Sequence, residues 1–129
     1  MNYSFISQLG SIDMLFEKMA VKTYDEWKEE PSVPLNVLVS AMADALKDGI
    51  GSLDNNKLEL IFQLVESVLS TGDKPLQDAV ATSFLENLQN YSSAGEFKFS
   101  LINKYLGEQS RSYCLSWDEF TGVKTEGLY

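Results

Sequence analysis

Asn55-Asn56-Lys57-Leu58-Glu59-Leu60-Ile61-Phe62-Gln63-Leu64-Val65-Glu66-Ser67-Val68-Leu69-Ser70 is the stretch on which the fold turns. At about 100° per residue, Leu58, Ile61, Phe62, Val65, Val68 and Leu69 fall on one face of a helix. Leu60 and Leu64 widen that face past half the circumference and leave Glu59, Gln63, Glu66, Ser67 and Ser70 as a narrow polar strip. A helix this apolar is expected to be central, with neighbours on two sides. Asp54 stands where its N-cap belongs.

The same period continues in both directions, and strand-like alternation is nearly absent. Upstream, Leu35, Leu38, Val39, Met42, Ala45 and Leu46 form a stripe that opens at Pro34 and stops at Gly49 and Gly51. Before it, Ile12, Leu15, Phe16 and Met19 mark a helix with Ser11 as its expected cap, running on toward Pro31. Tyr3–Leu9 reads as a short opening helix that ends at Gly10. Downstream, Thr71-Gly72-Asp73-Lys74-Pro75 is a stop and a restart. The helix Pro75–Asn90 then buries Leu76, Val80, Phe84 and Leu88, with Ala81 and Leu85 beside them. Phe97, Leu101, Ile102, Tyr105 and Leu106 predict a further helix up to Gly107. Residues 110–120 fit either one helix or a turn and a short helix, and Ser116-Trp117-Asp118-Glu119 has capping-box spacing. Thr121–Tyr129 shows no periodicity and is expected to be extended or frayed. Short loops force antiparallel neighbours. The expected fold is all-α: a single domain over residues 1–129, an irregular bundle of about six to seven helices arranged as antiparallel helical hairpins.

Composition narrows the function. The chain has 129 residues, a net charge of −9 and no histidine, and Arg111 is its only arginine. Without histidine there is no Ser-His-Asp or Cys-His pair and no imidazole zinc site. The acidic balance argues against nucleic acid as a partner. Cys114 is the only cysteine, so no intrachain disulfide forms, and it reads as a small buried hydrophobe. Asp48, Asp54, Asn55 and Asn56 lie close in sequence but miss calcium-loop spacing. Gly49 and Gly51 lack the rest of a phosphate loop. Adjacent acids such as Glu29/Glu30 and Asp118/Glu119 do not face each other on a helix. We expect no enzyme activity, no cofactor and no metal. Met1–Ser11 carries no basic residue, as a secretory signal would, and no apolar run reaches bilayer length. A cytoplasmic protein without membrane contact is expected.

The charge is unevenly placed. Between residues 34 and 95, Asp44, Asp48, Asp54, Glu59, Glu66, Asp73, Asp78 and Glu86 face only Lys47, Lys57 and Lys74, which is five of the nine excess negative charges. Such acids ordinarily form a solvated face that keeps a small domain soluble. The sharper reading is a surface that steers a basic protein into place. With antiparallel helices, Asp44, Asp48, Asp54, Glu59, Glu86 and Glu96 are expected to gather at one end. Glu66 and Asp78 extend the acidic strips. Trp27 and Trp117, with Tyr24 and Tyr113, are aromatic residues in polar surroundings, each either an interface anchor or a cap on the core.

Phe84-Leu85-Glu86-Asn87-Leu88, followed by Leu106-Gly107-Glu108-Gln109-Ser110-Arg111, resembles small helical bacterial domains found among immunity proteins of toxin–immunity systems, contact-dependent inhibition included. The resemblance spans about residues 34–112, its motifs are short and mainly structural, and it lapses after Arg111. It implies a non-catalytic protein, a monomer or weak oligomer, that binds one cognate toxin domain, commonly a basic nuclease, and blocks it sterically. A helical adaptor that binds another basic protein is the alternative.

Overall fold

The computed structural model describes residues 3–129; Met1 and Asn2, the start of the expected domain, lie outside them. Seven α-helical segments are present: α1 (Ser4–Ile12), α2 (Met14–Glu26), α3 (Leu35–Gly49), α4 (Asn55–Thr71), α5 (Lys74–Ala79), α6 (Glu86–Ser93) and α7 (Glu108–Thr121). No strand occurs among the described residues, and the protein is all-α. Asp54 caps α4 by accepting from the Lys57 amide at 2.8 Å, as its position implies. The cap of α2 is Asp13 rather than Ser11: its carboxylate accepts from the Leu15 amide at 2.9 Å. Ser11 remains inside α1, its hydroxyl bonded back to Ser7 O. Asp13 also meets Lys57 Nζ at 2.7 Å, which ties the α1–α2 corner to the first turn of α4. α2 ends at Glu26, five residues short of Pro31.

α5 and α6 are one rod, joined without a break by a π-helical segment, Val80–Leu85. Leu76, Val80, Phe84 and Leu88 explain it. Four residues apart, they would drift by about 120° around an ideal α-helix. Widening one turn to i→i+5 bonding, as in Glu86 N–H to Ala81 O, keeps all four buried on the same side. Side chains bond carbonyls along this stretch: Thr82 Oγ1 donates to Asp78 O and Asn87 Nδ2 to Ser83 O.

This rod is the axis of the bundle. Phe84 meets Phe5 of α1 edge-on at 6.3 Å and Phe62 of α4 at 6.2 Å, and all three rings are fully buried. α3 packs along one flank of the rod, α4 and α7 along the other, and α1 reaches both α3 and α4. α3 and α4, though consecutive, do not pack on one another among the described residues, because the rod and α1 separate them. Ser40–Asn87 and Asp44–Tyr91 hydrogen bonds step along α3 and α6 in the same direction, so these helices run parallel. Leu64 is half-buried, and Leu60 is 51% exposed, outside the apolar face assigned to it. Among the described residues, no helix covers the side of α4 that bears Leu60.

The chain differs from the periodic reading after α6. Residues 97–106 form two 3₁₀ turns, Phe99–Leu101 and Asn103–Tyr105, not a sixth α-helix. Phe97, Phe99, Ile102 and Leu106 are buried while Leu101 is exposed. The tighter 3₁₀ turn, three residues per turn, puts Phe99 and Ile102 on one side. α7 is a single helix through Ser116, so Ser116 caps nothing. The tail is not frayed: Thr125 and Leu128 are buried against α7 and the 3₁₀ turns.

Truncating Phe84 should empty the aromatic contact at the axis. Phe84→Ala is expected to lower unfolding stability by about 3–5 kcal/mol, whereas Leu60→Ala should stay within about 0.5 kcal/mol of the parent. Urea unfolding of the two variants checks both.

Candidate protein-binding site

Five of the eight acids singled out by sequence are held in local contacts of the fold. Glu66 accepts from the Gln109 amide at 2.7 Å and from the Ser110 amide and hydroxyl at 2.9 Å each. It therefore caps α7 from a different helix and places a carboxylate at the positive end of that helix. Gly107 makes this possible, since a Cβ there would overlap the Glu66 carboxylate. Glu86 accepts from the Tyr113 hydroxyl, and Asp78 pairs with Lys74 at 2.6 Å. Asp54 is occupied as the α4 cap, and Glu59 holds Gln63 one turn along.

The expected gathering of acids at one end is therefore partial. Glu86 turns toward α7, away from the α3 flank, because a neighbour one residue on, Asn87, is the one that faces Ser40. Asp44, Asp48 and Glu96 do converge, at the shared end of the parallel helices α3 and α6. Lys47 Nζ lies 3.6 Å from Asp48, 3.9 Å from Glu96 and 4.4 Å above the Tyr91 ring. The Tyr91 hydroxyl donates to Asp44. Burial, then the Asp44 hydrogen bond, push that hydroxyl well above the usual tyrosine range, so it stays a donor.

Asp44, Lys47, Asp48 and Tyr91 border a cleft of about 650 Å³ between α2, α3 and the end of α6, and Glu96 reaches its rim through Lys47. Trp27, Met19 and Val37 supply apolar wall; Glu26, Asp44 and Asp48 supply acid. Trp27 sits at the C-cap of α2, its amide bonded to Thr23 O at 3.2 Å, so its ring is carried by a helix end rather than a free loop. It also borders a second groove with Tyr3, Tyr24 and Pro31. Trp117 is elsewhere, on α7, its ring tilted against that of Phe120 at 5.7 Å, and Phe120 is 77% exposed. Glu26, Lys22, Lys47 and Tyr91 were not singled out by sequence. The signal available was Ser40, Asp44, Lys47 and Asp48 on α3, a second stripe at helical spacing beside the apolar one.

Cys114 is buried, and burial foremost pushes its thiol up to about 12. Among the described residues, no three His, Cys, Asp or Glu side chains gather closely enough to hold a metal ion. No helix among them is long and apolar enough to cross a membrane.

Fold and cleft together define a small all-α bundle with a half-buried acidic and aromatic groove. The chain belongs to the family described as a domain of unknown function (DUF7674), which matches residues 12–122. No curated protein and no solved structure matches it.

Glu66 has a measurable signature. Burial alone pushes its carboxyl up, but the bonds from Ser110 and Gln109 outweigh burial and hold it below the ordinary 4.5. A depressed folded-state value contributes stability that is fully present above the unfolded value and is lost as pH falls through the folded one. Glu66→Gln should cost about 1 kcal/mol near neutral pH. Its deficit relative to the parent should close as pH drops below about 4.5, followed by urea unfolding at each pH.

Proposed function

We propose that this chain is a non-catalytic binding protein that neutralises a cognate secreted toxin domain by covering a basic surface of it. The observation that carries the reading is the convergence of Trp27, Asp44, Asp48 and Glu96 on one cleft and its rim. Around that cleft, Glu26, Asp44, Asp48 and Glu96 stand against Lys22 and Lys47, and both lysines are already paired with acids. The cleft therefore keeps excess negative charge for an incoming Lys or Arg. Trp27 supplies a large, half-buried ring of the kind that dominates interface energetics.

In this reading the rim acids steer the toxin in and Trp27 seats against an apolar patch between its basic side chains. Inhibition is steric: the bundle occupies the surface that the toxin needs for its substrate. The protein works in the cytoplasm, as a monomer or weak oligomer, without cofactor, membrane or nucleic acid. The resemblance of the Phe84–Leu88 and Leu106–Arg111 segments to immunity domains supports the choice of a toxin as partner. Those segments themselves are scaffold: Phe84 is core and Gly107 makes room for Glu66.

The test is co-purification with the C-terminal domain of the protein encoded next to it, with rescue of that domain's toxicity. Trp27→Ala should weaken the complex by about 2 kcal/mol, roughly 30-fold. Asp48→Asn with Glu96→Gln should slow association and flatten its salt dependence, and Trp117→Ala should change neither. Salt-independent association, or equal losses from Trp117 and Trp27, would remove the cleft from the mechanism. Binding of another basic protein without rescue would point to an adaptor.

A further inference from the structure

Residues 123–129 lie beyond the span matched to the family, which ends at Gly122, where α7 stops and the chain turns back. Gly122 adopts a φ of +76°, a conformation that favours glycine, and turns the chain back; Gly127, at +85°, lets the segment lie close against Ser100, where a Cβ would overlap the backbone. Most of the segment's polar anchors converge on one side chain, while Leu128 is its one apolar residue in the core. Asp118, 5% exposed, accepts from the Thr125 amide at 2.7 Å, the Thr125 hydroxyl at 2.6 Å and the Tyr129 hydroxyl at 3.0 Å. Arg111 adds a longer bond to Leu128 O, at 3.3 Å, while its stronger bonds go to Asn103. Only Thr125 and Leu128 of the segment are buried.

The contact beneath is incompletely satisfied. Gln89, 1% exposed, spreads its amide N–H groups over Cys114 O, Asp118 and Thr125, and its Oε1 has no hydrogen-bond partner among the described residues. A buried oxygen without a partner is costly, and water admitted to it relieves that cost. Three of the segment's bonds converge on one carboxylate, so withdrawal of the segment from Asp118 breaks all three. Little apolar burial, shared polar anchors and an unsatisfied floor are the features of a unit that opens before the rest of a domain.

We propose that residues 123–129 are a releasable strap, docked on α6, α7 and the Phe99–Leu101 turn in the closed state and undocking as one unit while the bundle stays folded. Opening frees the chain's only arginine from one of its partners and uncovers the Asp118 carboxylate, so the α7 face changes charge pattern between the two states. The strap is on the side of the molecule served by α7, whereas the cleft is bordered by α2, α3 and Tyr91, and the two share no residue.

Residue-resolved amide hydrogen exchange on the full chain tests this. The Thr125 amide reports the Asp118 anchor directly, and the Leu128 amide, bonded to Thr125 O at 3.3 Å, reports the far end. Both should show the same protection, well below that of Val65 in α4. Thr125→Ala should speed Leu128 exchange roughly five- to tenfold and leave Val65 unchanged; Tyr129→Phe, which removes one anchor without touching the buried residues, should do so to a smaller extent. Thr125 and Leu128 exchanging as slowly as Val65 would make the segment an integral part of the core and overturn the proposal. So would unequal or absent protection of the two amides, which describes a frayed end, or a Thr125→Ala effect that reaches Val65 in equal measure.

Discussion

Leu76, Val80, Phe84 and Leu88 stand four residues apart, and an α-helix cannot keep four such residues on one line. The chain resolves the mismatch with a π-helical segment, and the rest of the bundle depends on that solution. The widened turn holds Phe84 between Phe5 and Phe62, which joins α1, α4 and the rod in one contact. It also sets the phase of everything after it. Asn87 and Tyr91 point to α3, and Tyr91 lines the cleft, while Glu86 and Gln89 point to α7 and its strap.

A consequence is that the acids of this protein do two different jobs. Glu66 is engaged by three donors and closes the start of α7, and Glu86 holds a tyrosine. Asp48 and Glu96 instead share a single lysine at the surface and keep charge in reserve. A net charge of −9 therefore overstates what is free to meet a partner. Exposed ion pairs contribute little to stability, so the surface acids are open to selection for binding in a way that Glu66 is not.

Several elements were legible as pattern. The α4 face and its Asp54 cap, the α3 stripe and the burial of Phe84 follow from period and cap chemistry. Ser11 misled, because a serine in the last turn of a helix can bond back to the carbonyl four residues earlier, and Asp13, two residues on, was the better acceptor. The stretch 97–106 misled because apolar residues three and four apart suit either a 3₁₀ turn or an α-helix, and only packing chooses. Trp27 and Trp117 looked alike in sequence; one borders the cleft and the other tilts against an exposed phenylalanine.

The amino-acid sequence alone determined that this chain is helical and acidic, and that imidazole chemistry is closed to it, since period, charge and residue inventory are local properties of the chain. Tertiary structure decided which acids stay at the surface, that α3 and α6 run parallel, and that the unpatterned tail folds back onto Asp118. These outcomes depend on pairs such as Glu66 with Ser110, Asp44 with Tyr91 and Asp118 with Thr125. Such partners meet only after the rod has been placed, and no spacing along the chain records the meeting.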